Sequence, residues 1–520
     1  MAYGGNWEGG RVVVRSETVD SEPARTQNAS PAEPVVAPAG GGGRRISRRD
    51  ALRLGLFGLG GVLIGGLGGF ALGRSTAPSA TAPHPVSGAP ERAGLASASF
   101  PITIGADARS LVDSEGRHFL YLADTPWNAI SRMTRESFTT LATARSEGGF
   151  TALQMSVLDF DPRAENAYGE RPFAERGDLA EPLRGEADYW THVEWCVDEC
   201  ARLGLVACLV PSWYGGWGDA WRGYVTEDNA AAYGTFLADL LGDRPNVWWL
   251  LGGDNDPTDE GEATSGVPGT LSRGPVVAAT IQMGRALFEG QSVPQLMSYH
   301  TAREMTVEEH FGDEAWYQLS AAYSGADSAP FVRAEFDRST VRPVILWESY
   351  YDGRDREPLL DRREVRAQAY HAFLSGAAGA AYGHEDVWPV TEEWPAALAA
   401  GSAEDVRVLS TLLAAFVPGV LEPLGVESGL LPDGHGTPGT ASAVAVAALP
   451  DGAGAMAYFG EPRSTIRIDT TALDADATFA IRWFDPATGE EFFVADDRAG
   501  EDVVVSWPST WSDAVLLVRR

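Results

Sequence analysis

The chain has 520 residues, is 44% hydrophobic, and carries 72 acidic against 40 basic side chains, a formal charge of -32. That length and apolar fraction supply a large domain core and at least one smaller module. The negative excess repels phosphate backbones and anionic headgroups, which excludes nucleic acid as an expected partner.

In chain order, residues 1–43 are rich in Gly, Pro, Ala and Glu and read as disordered. Residues 44–82 contain "SRRDALR", in which Arg48 and Arg49 precede about 20 uncharged residues, Leu54 to Gly73, closed by Arg74. A buried helix does not fit, because so many glycines weaken a soluble helix and a core helix needs a polar flank. The segment resembles a twin-arginine signal, which implies export of an already folded protein. The small-residue site "ATA" ends at Ala82, but Pro83 behind it is a poor neighbour for cleavage. Residues 54–73 therefore double as a candidate membrane anchor, so the expected location is extracellular or on the outer face of the cytoplasmic membrane. Residues 83–98 form a second low-complexity stretch, read as a disordered linker.

From Ser99 the chain alternates short apolar runs with Ala-rich, charged helical stretches. The first four strand candidates are "HFLYLADT" (118–125), "FTALQMSVLD" (150–159), "LVACLVPSW" (205–213) and "NVWWLLGGD" (246–254); four more end at His300, Gly325, Ser349 and Asp386. Between them "TRESFTTLATARSEG" reads as a helix capped by Thr134 and closed by Gly148, and a second helix reads from Asn229. Eight such repeats predict an α/β fold, a (β/α)8 TIM barrel over residues 99–421. An open doubly wound sheet is the competing architecture, but "LADTPWNAI" stands where its glycine-rich phosphate loop would follow the first strand. Over 422–520 the segments shorten and Gly, Pro and Asp turns crowd together, which predicts a small all-β sandwich domain docked without a long linker. The only cysteines, Cys196, Cys200 and Cys208, lack clustered histidines and read as buried thiols, so no metal or other cofactor is expected.

In a parallel barrel the strands are buried on both sides and read as unbroken apolar runs, and active sites gather at their carboxyl ends. "VWWLLGGDND" and "VILWES" both end such runs in acids, placing Asp254 and Glu348 on one rim. Two carboxyl groups facing one cleft, one protonated and one ionised, supply a general acid and a nucleophile for splitting an acetal with retention. The ordinary alternative for Asp254 is to cap the next helix. For Glu348 a lone acid directly behind a buried run would be costly without a purpose.

The block "FLYLADTPWNAISRMTRESFTTLATARSEGGFTALQMSVLDF", followed in order by "WWLLGGDND", "YHTAREM", "YQLSAAYSG", "VILWESYYDG" and "LSGAAGAAYGHEDVW", resembles the apiosidase-like glycoside hydrolase family over about Ser99 to Phe416. The resemblance implies an exported enzyme acting on plant or other polysaccharide, with Asp254 as acid/base and Glu348 as nucleophile. Aspartate in the acid/base place reaches one methylene less than glutamate. The family pattern around the sixth strand has glutamine, serine, glycine and histidine, whereas here Gln318 leads into "LSAAYSG" with no histidine. The tail, with "AMAYFG" and "IRWFDPATGEEF", resembles the small domain often fused behind that family under a collagen-binding label.

Further substrate contacts are expected from Asp124 and Gln318, from Trp127, Trp213, Tyr350 and Trp388 as stacking faces, and from His300 and His384 at strand ends. Asp124 also suits an ordinary turn before Thr-Pro, and several aromatics must be plain core. Asp159, Asp161, Glu385 and Asp386 suit calcium or a solvated rim, with the rim preferred. The expected partner is an oligosaccharide or polysaccharide. The competing functions are a metal-dependent hydrolase, for which "YLADT" lacks the paired histidines, and a non-catalytic carbohydrate- or matrix-binding protein on the same scaffold.

Overall fold

The unbroken apolar runs become strands because each is covered on both faces. The computed structural model describes residues 84–85 and 98–520 apart from 175–177, 187, 263–271, 274, 451 and 497–502. The expected signal and anchor over 44–82, and the segment 1–43, lie outside the described residues, as does most of the 83–98 linker.

Eight parallel strands form one sheet: β1 (Tyr121–Asp124), β2 (Ala152–Ser156), β3 (Val206–Val210), β4 (Val247–Asn255), β5 (Met297–Thr301), β6 (Ser320–Tyr323), β7 (Val344–Glu348) and β8 (Ala377–Tyr382). Their lateral order is β5-β4-β3-β2-β1-β8-β7-β6. The two ends of that order meet, since Met297 O accepts the N–H groups of Gln318 (3.1 Å) and Leu319 (3.3 Å), and Ser298 Oγ donates to Leu319 O at 2.7 Å. The sheet thus closes into the expected barrel. Across its interior Tyr121 of β1 stacks on Trp248 of β4 (5.0 Å, 7°) and meets Trp347 of β7 edge-on (5.6 Å, 76°), so the barrel is filled rather than hollow.

The α-helices longer than one turn are α1 (Arg135–Glu147), α2 (Tyr189–Arg202), α3 (Glu227–Leu241), α4 (Val277–Gly290), α5 (Ala329–Phe336), α6 (Arg362–Leu374) and α7 (Gly401–Phe416). Thr134 caps α1 by accepting the Ser137 N–H, and Gly148 closes it, as read from the sequence. Helix α3 starts two residues before the expected Asn229, because Thr226 is the cap and Asn229 returns the bond to it in a capping box. Between β5 and β6 only the single turn Glu308–Phe311 is helical.

The C-terminal strands are β9 (Val444–Ala448), β10 (Gly454–Phe459), β11 (Thr465–Ile468), β12 (Ala480–Phe484), β13 (Glu491–Asp496), β14 (Val503–Ser506) and β15 (Ala514–Arg519). An antiparallel sheet runs β13-β12-β15-β10-β9, with Glu422–Pro423 added beyond β9, and β11 pairs with β14 as a separate ribbon. His84–Pro85, within the stretch read as linker, pairs antiparallel with Phe492 and Phe493 at the far edge. Alternation along β10 divides the sheet's duties. Ala455, Ala457 and Phe459 pack with Ile466 and Ile468 of the ribbon, whereas Met456 and Tyr458 join the cluster containing Val365, Phe373 and Leu409 of the barrel's helices.

The polar part of that junction is an ion network. Arg366 of α6 binds Asp513 through both Nε and Nη2, and donates from Nη1 to Asp405 of α7 at 3.1 Å. Arg362 also holds Asp405 (2.9 Å), and Tyr458 OH donates to Asp513 at 2.9 Å. Both carboxylates are almost fully buried. Replacing Arg366 by Met should cost about 3–5 kcal/mol in denaturant unfolding, because each acid then loses its shared cation in the interior.

Candidate active site

The barrel's carboxyl-terminal rim is built on two irregular strand ends. In the β4–β5 pairing His300 stands opposite Gly252 but Thr301 opposite Asn255, so Gly253 and Asp254 are extra residues pushed out of the ladder. In the β6–β7 pairing Ala322 faces Leu346 but Tyr323 faces Glu348, which makes Trp347 the extra residue. A bulge resets the alternation of side chains. Consecutive residues of β7 consequently both meet interior partners, Trp347 against Tyr121 and Glu348 against Tyr323.

Gly253 has φ +105°, and a Cβ there would lie 2.5 Å from the Trp213 ring. Gly216, in the loop after β3, has φ +48°, and a Cβ there would stand 2.7 Å from Asp254 Oδ2. Asp254 is itself at φ +44°, a left-handed conformation that costs a non-glycine residue about 1–3 kcal/mol and is held only when its surroundings fix it. Here the fixing group is His300. The Asp254 N–H donates to His300 Nδ1 at 2.9 Å, which assigns the ring proton of a neutral imidazole to Nε2. That nitrogen stands 3.1 Å from Glu348 Oε2, although not aligned as a hydrogen bond. The other Glu348 oxygen, Oε1, accepts from Tyr323 OH at 3.1 Å.

Burial and the neighbouring Glu348 carboxylate push the Asp254 carboxyl up to about 7, offset in part by His300 and Arg303. A carboxyl group poised to be protonated near neutrality therefore shares one rim with a second carboxyl group that has one oxygen hydrogen-bonded and one free of such a bond.

Trp127, Trp213 and His300 are brought together as an aromatic floor, with ring separations of 4.7 Å between the tryptophans and 5.4 and 5.3 Å from each to the imidazole. Trp127 Nε1 donates to Tyr351 OH at 2.6 Å, which locks its plane. Trp388 is half-buried, stacks on Phe160 (5.9 Å, 27°), and donates to Glu385. Tyr350 lies half-buried under two guanidinium groups, those of Arg303 (4.8 Å) and Arg354 (4.5 Å). His384 is pinned by the Asp386 N–H, which donates to its Nδ1 at 3.1 Å.

Two expected contacts are corrected. Asp124 is fully buried, and Arg145 of α1 donates to its Oδ2 at 2.6 Å while the Thr125 N–H occupies Oδ1, so it is an internal ion pair and not a sugar contact. Gln318 precedes β6 and so lies at the end of that strand away from the rim. Its Oε1 accepts from Met297 N–H at 3.2 Å at the amino-terminal end of the barrel, where it helps seal the β5–β6 seam. The residue that β6 does deliver to the rim is Tyr323, which the sequence reading passed over. Its signal was its place at the end of the apolar run, before "SG". Of the four rim acids, Asp159 is held by Arg132, Asp161 by Arg163 and Glu385 by Arg356. The three cysteines are free and buried.

The model of the family described as apiosidase-like, catalytic domain, matches residues 106–417. The chain belongs to the apiosidase-like family. It is accordingly a glycoside hydrolase, and Asp254, Glu348, His300 and Tyr323 all fall inside the apiosidase-like match. Among solved structures, a glycoside hydrolase family 5 protein from Bacteroides vulgatus is 19% identical with a TM-score of 0.70, covering 81% of this chain and 93% of its own. A protein described as a glycoside hydrolase is 18% identical with a TM-score of 0.69, covering 81% and 98%. A second B. vulgatus protein is 14% identical with a TM-score of 0.57 over 83% of each chain. At these identities the likeness concerns the fold. No curated protein sequence matches the chain.

If Asp124 is structural, Asp124→Asn should lower unfolding free energy by about 3–5 kcal/mol, since Arg145 loses its buried counter-charge, and leave KM near the wild-type value. Calorimetry beside steady-state kinetics checks both.

Proposed function

We propose that this apiosidase-like enzyme is a retaining glycosidase in which Asp254 is the acid/base and Glu348 the nucleophile. The observation that carries the reading is the pairing itself, an Asp254 whose N–H is held by His300 and a Glu348 whose Oε2 has no hydrogen bond and stands beside the same imidazole. In the first step Glu348 Oε2 attacks the anomeric carbon while the Asp254 proton passes to the departing oxygen. In the second, Asp254 takes a proton from water, which attacks the same carbon and releases Glu348. Trp127 and Trp213 are buried and back the carboxyl pair from below, so the half-buried Tyr350 and Trp388 are the aromatic faces left to the sugar. The substrate on this reading is a plant or microbial polysaccharide or an oligosaccharide derived from it.

The experiment is azide trapping. Glu348→Ala should be inactive alone and, with azide and an activated aryl glycoside, should give the glycosyl azide of inverted configuration; Asp254→Ala should give the retained one. The same anomer from both variants would reject the assignment.

The pH dependence follows from the Asp254 carboxyl at about 7. As general acid it works protonated, so kcat/KM should fall about tenfold per unit above that pH, and Asp254→Asn should lose this limb. Stability runs the same way. A proton bound more tightly in the folded state means that Asp254 costs nothing at low pH and progressively destabilises the fold as pH rises from the ordinary value of 3.8 towards about 7. Asp254→Asn should therefore melt at a higher temperature than wild type at pH 8, with the difference gone at pH 3.

We also propose export by the twin-arginine route, with residues 54–73 either removed with the signal or kept as a membrane anchor, on the strength of "SRRDALR" and the uncharged run behind it. Replacing Arg48 and Arg49 together by Lys should leave folded enzyme in the cytoplasm, read by cell fractionation.

A further inference from the structure

Arg303 touches neither Asp254 nor Glu348 by a hydrogen bond, yet it is tied to the tyrosine that holds Glu348. Its Nη2 donates to Tyr323 OH at 3.2 Å, and the same hydroxyl donates to Glu348 Oε1 at 3.1 Å. A phenol hydroxyl has one hydrogen and two favoured in-plane settings. A guanidinium N–H cannot accept, so the hydrogen cannot point towards Arg303, and the setting directed at Glu348 is the one that remains. The arrangement is well braced. The Arg303 guanidinium lies over the Tyr323 ring (5.3 Å) and over the Tyr350 ring (4.8 Å), and Arg354 packs on Tyr350 as well. The chain beside it is bound to the same strand end, because Glu304, at φ +61°, donates its N–H to Tyr323 O at 2.8 Å.

We propose that Arg303 is a positioning residue that orients the Tyr323 hydroxyl onto Glu348 Oε1, leaving Oε2 as the attacking oxygen. This rests on the reading of Glu348 as nucleophile. The cation also polarises the hydroxyl, so its bond to the carboxylate is stronger than an unaided phenol would make. Without Arg303 the hydroxyl can turn away, and the carboxylate loses the restraint that decides which oxygen faces the sugar. A loss of this kind affects the chemical step more than binding.

The test is a double-mutant cycle with the 4-nitrophenyl glycoside that the wild type hydrolyses fastest, on wild type, Arg303→Met, Tyr323→Phe and the double variant, with thermal melts of each. Arg303 is exposed, so its replacement leaves the core intact. Arg303→Met and Tyr323→Phe should each lower kcat about 10- to 100-fold with KM within about threefold, and the double variant should be no slower than Tyr323→Phe. Millimolar guanidinium chloride should restore part of the Arg303→Met activity and none of the double variant's. Losses that multiply in the double variant, or a rise in KM at unchanged kcat in Arg303→Met, would overturn the relay and make Arg303 a direct substrate contact. An active Glu348→Ala enzyme would instead remove the nucleophile assignment, so the two failures are told apart.

Discussion

A single imidazole organises the mouth of this barrel. His300 takes the backbone N–H of Asp254 on one nitrogen and sets the other beside Glu348, so the conformation of one carboxyl-bearing residue and the surroundings of the other are fixed by the same ring. The left-handed backbone at Asp254 would relax without that acceptor. His300 is wholly buried and wedged between Trp127, Trp213 and Tyr323, which leaves it little room to rotate. Precision at the rim is thus inherited from close packing beneath it, and packing of this kind resists displacement better than a loop does.

The rest of the molecule supports that floor. The aromatic stack of Tyr121, Trp248 and Trp347 fills the barrel below, and α6 and α7 are clamped from outside by the C-terminal sheet. Outer barrel residues such as Leu122 and Leu346 share one apolar cluster with Met456 and Leu517 of that sheet, so barrel and sandwich share a core. A change in the C-terminal domain can therefore reach the barrel strands through α6, the helix that follows β7.

Much of this was legible in the sequence because burial on two sides leaves a simple trace. Runs such as "VWWLLGG" and "VILW" have few other uses than barrel staves, and an acid directly behind each marks the solvent end. What escaped detection depends on pairing across long separations. Nothing near Asp124 announces that Arg145, on the following helix, will neutralise it. Gln318 and Tyr323 are five residues apart, yet they sit at opposite ends of one strand, and only the observed strand limits say which end opens to solvent. The two bulges are invisible to periodicity, since an extra residue reads like any other until its partner strand is known.

The C-terminal sheet has a consequence of its own. Its central strands β10 and β15 are buried along almost their whole length, with the ribbon over one side and barrel helices under the other. Among the described residues these two strands therefore present no open face to a polymer, and the apolar cluster they share with α6 and α7 makes the module a brace for the barrel.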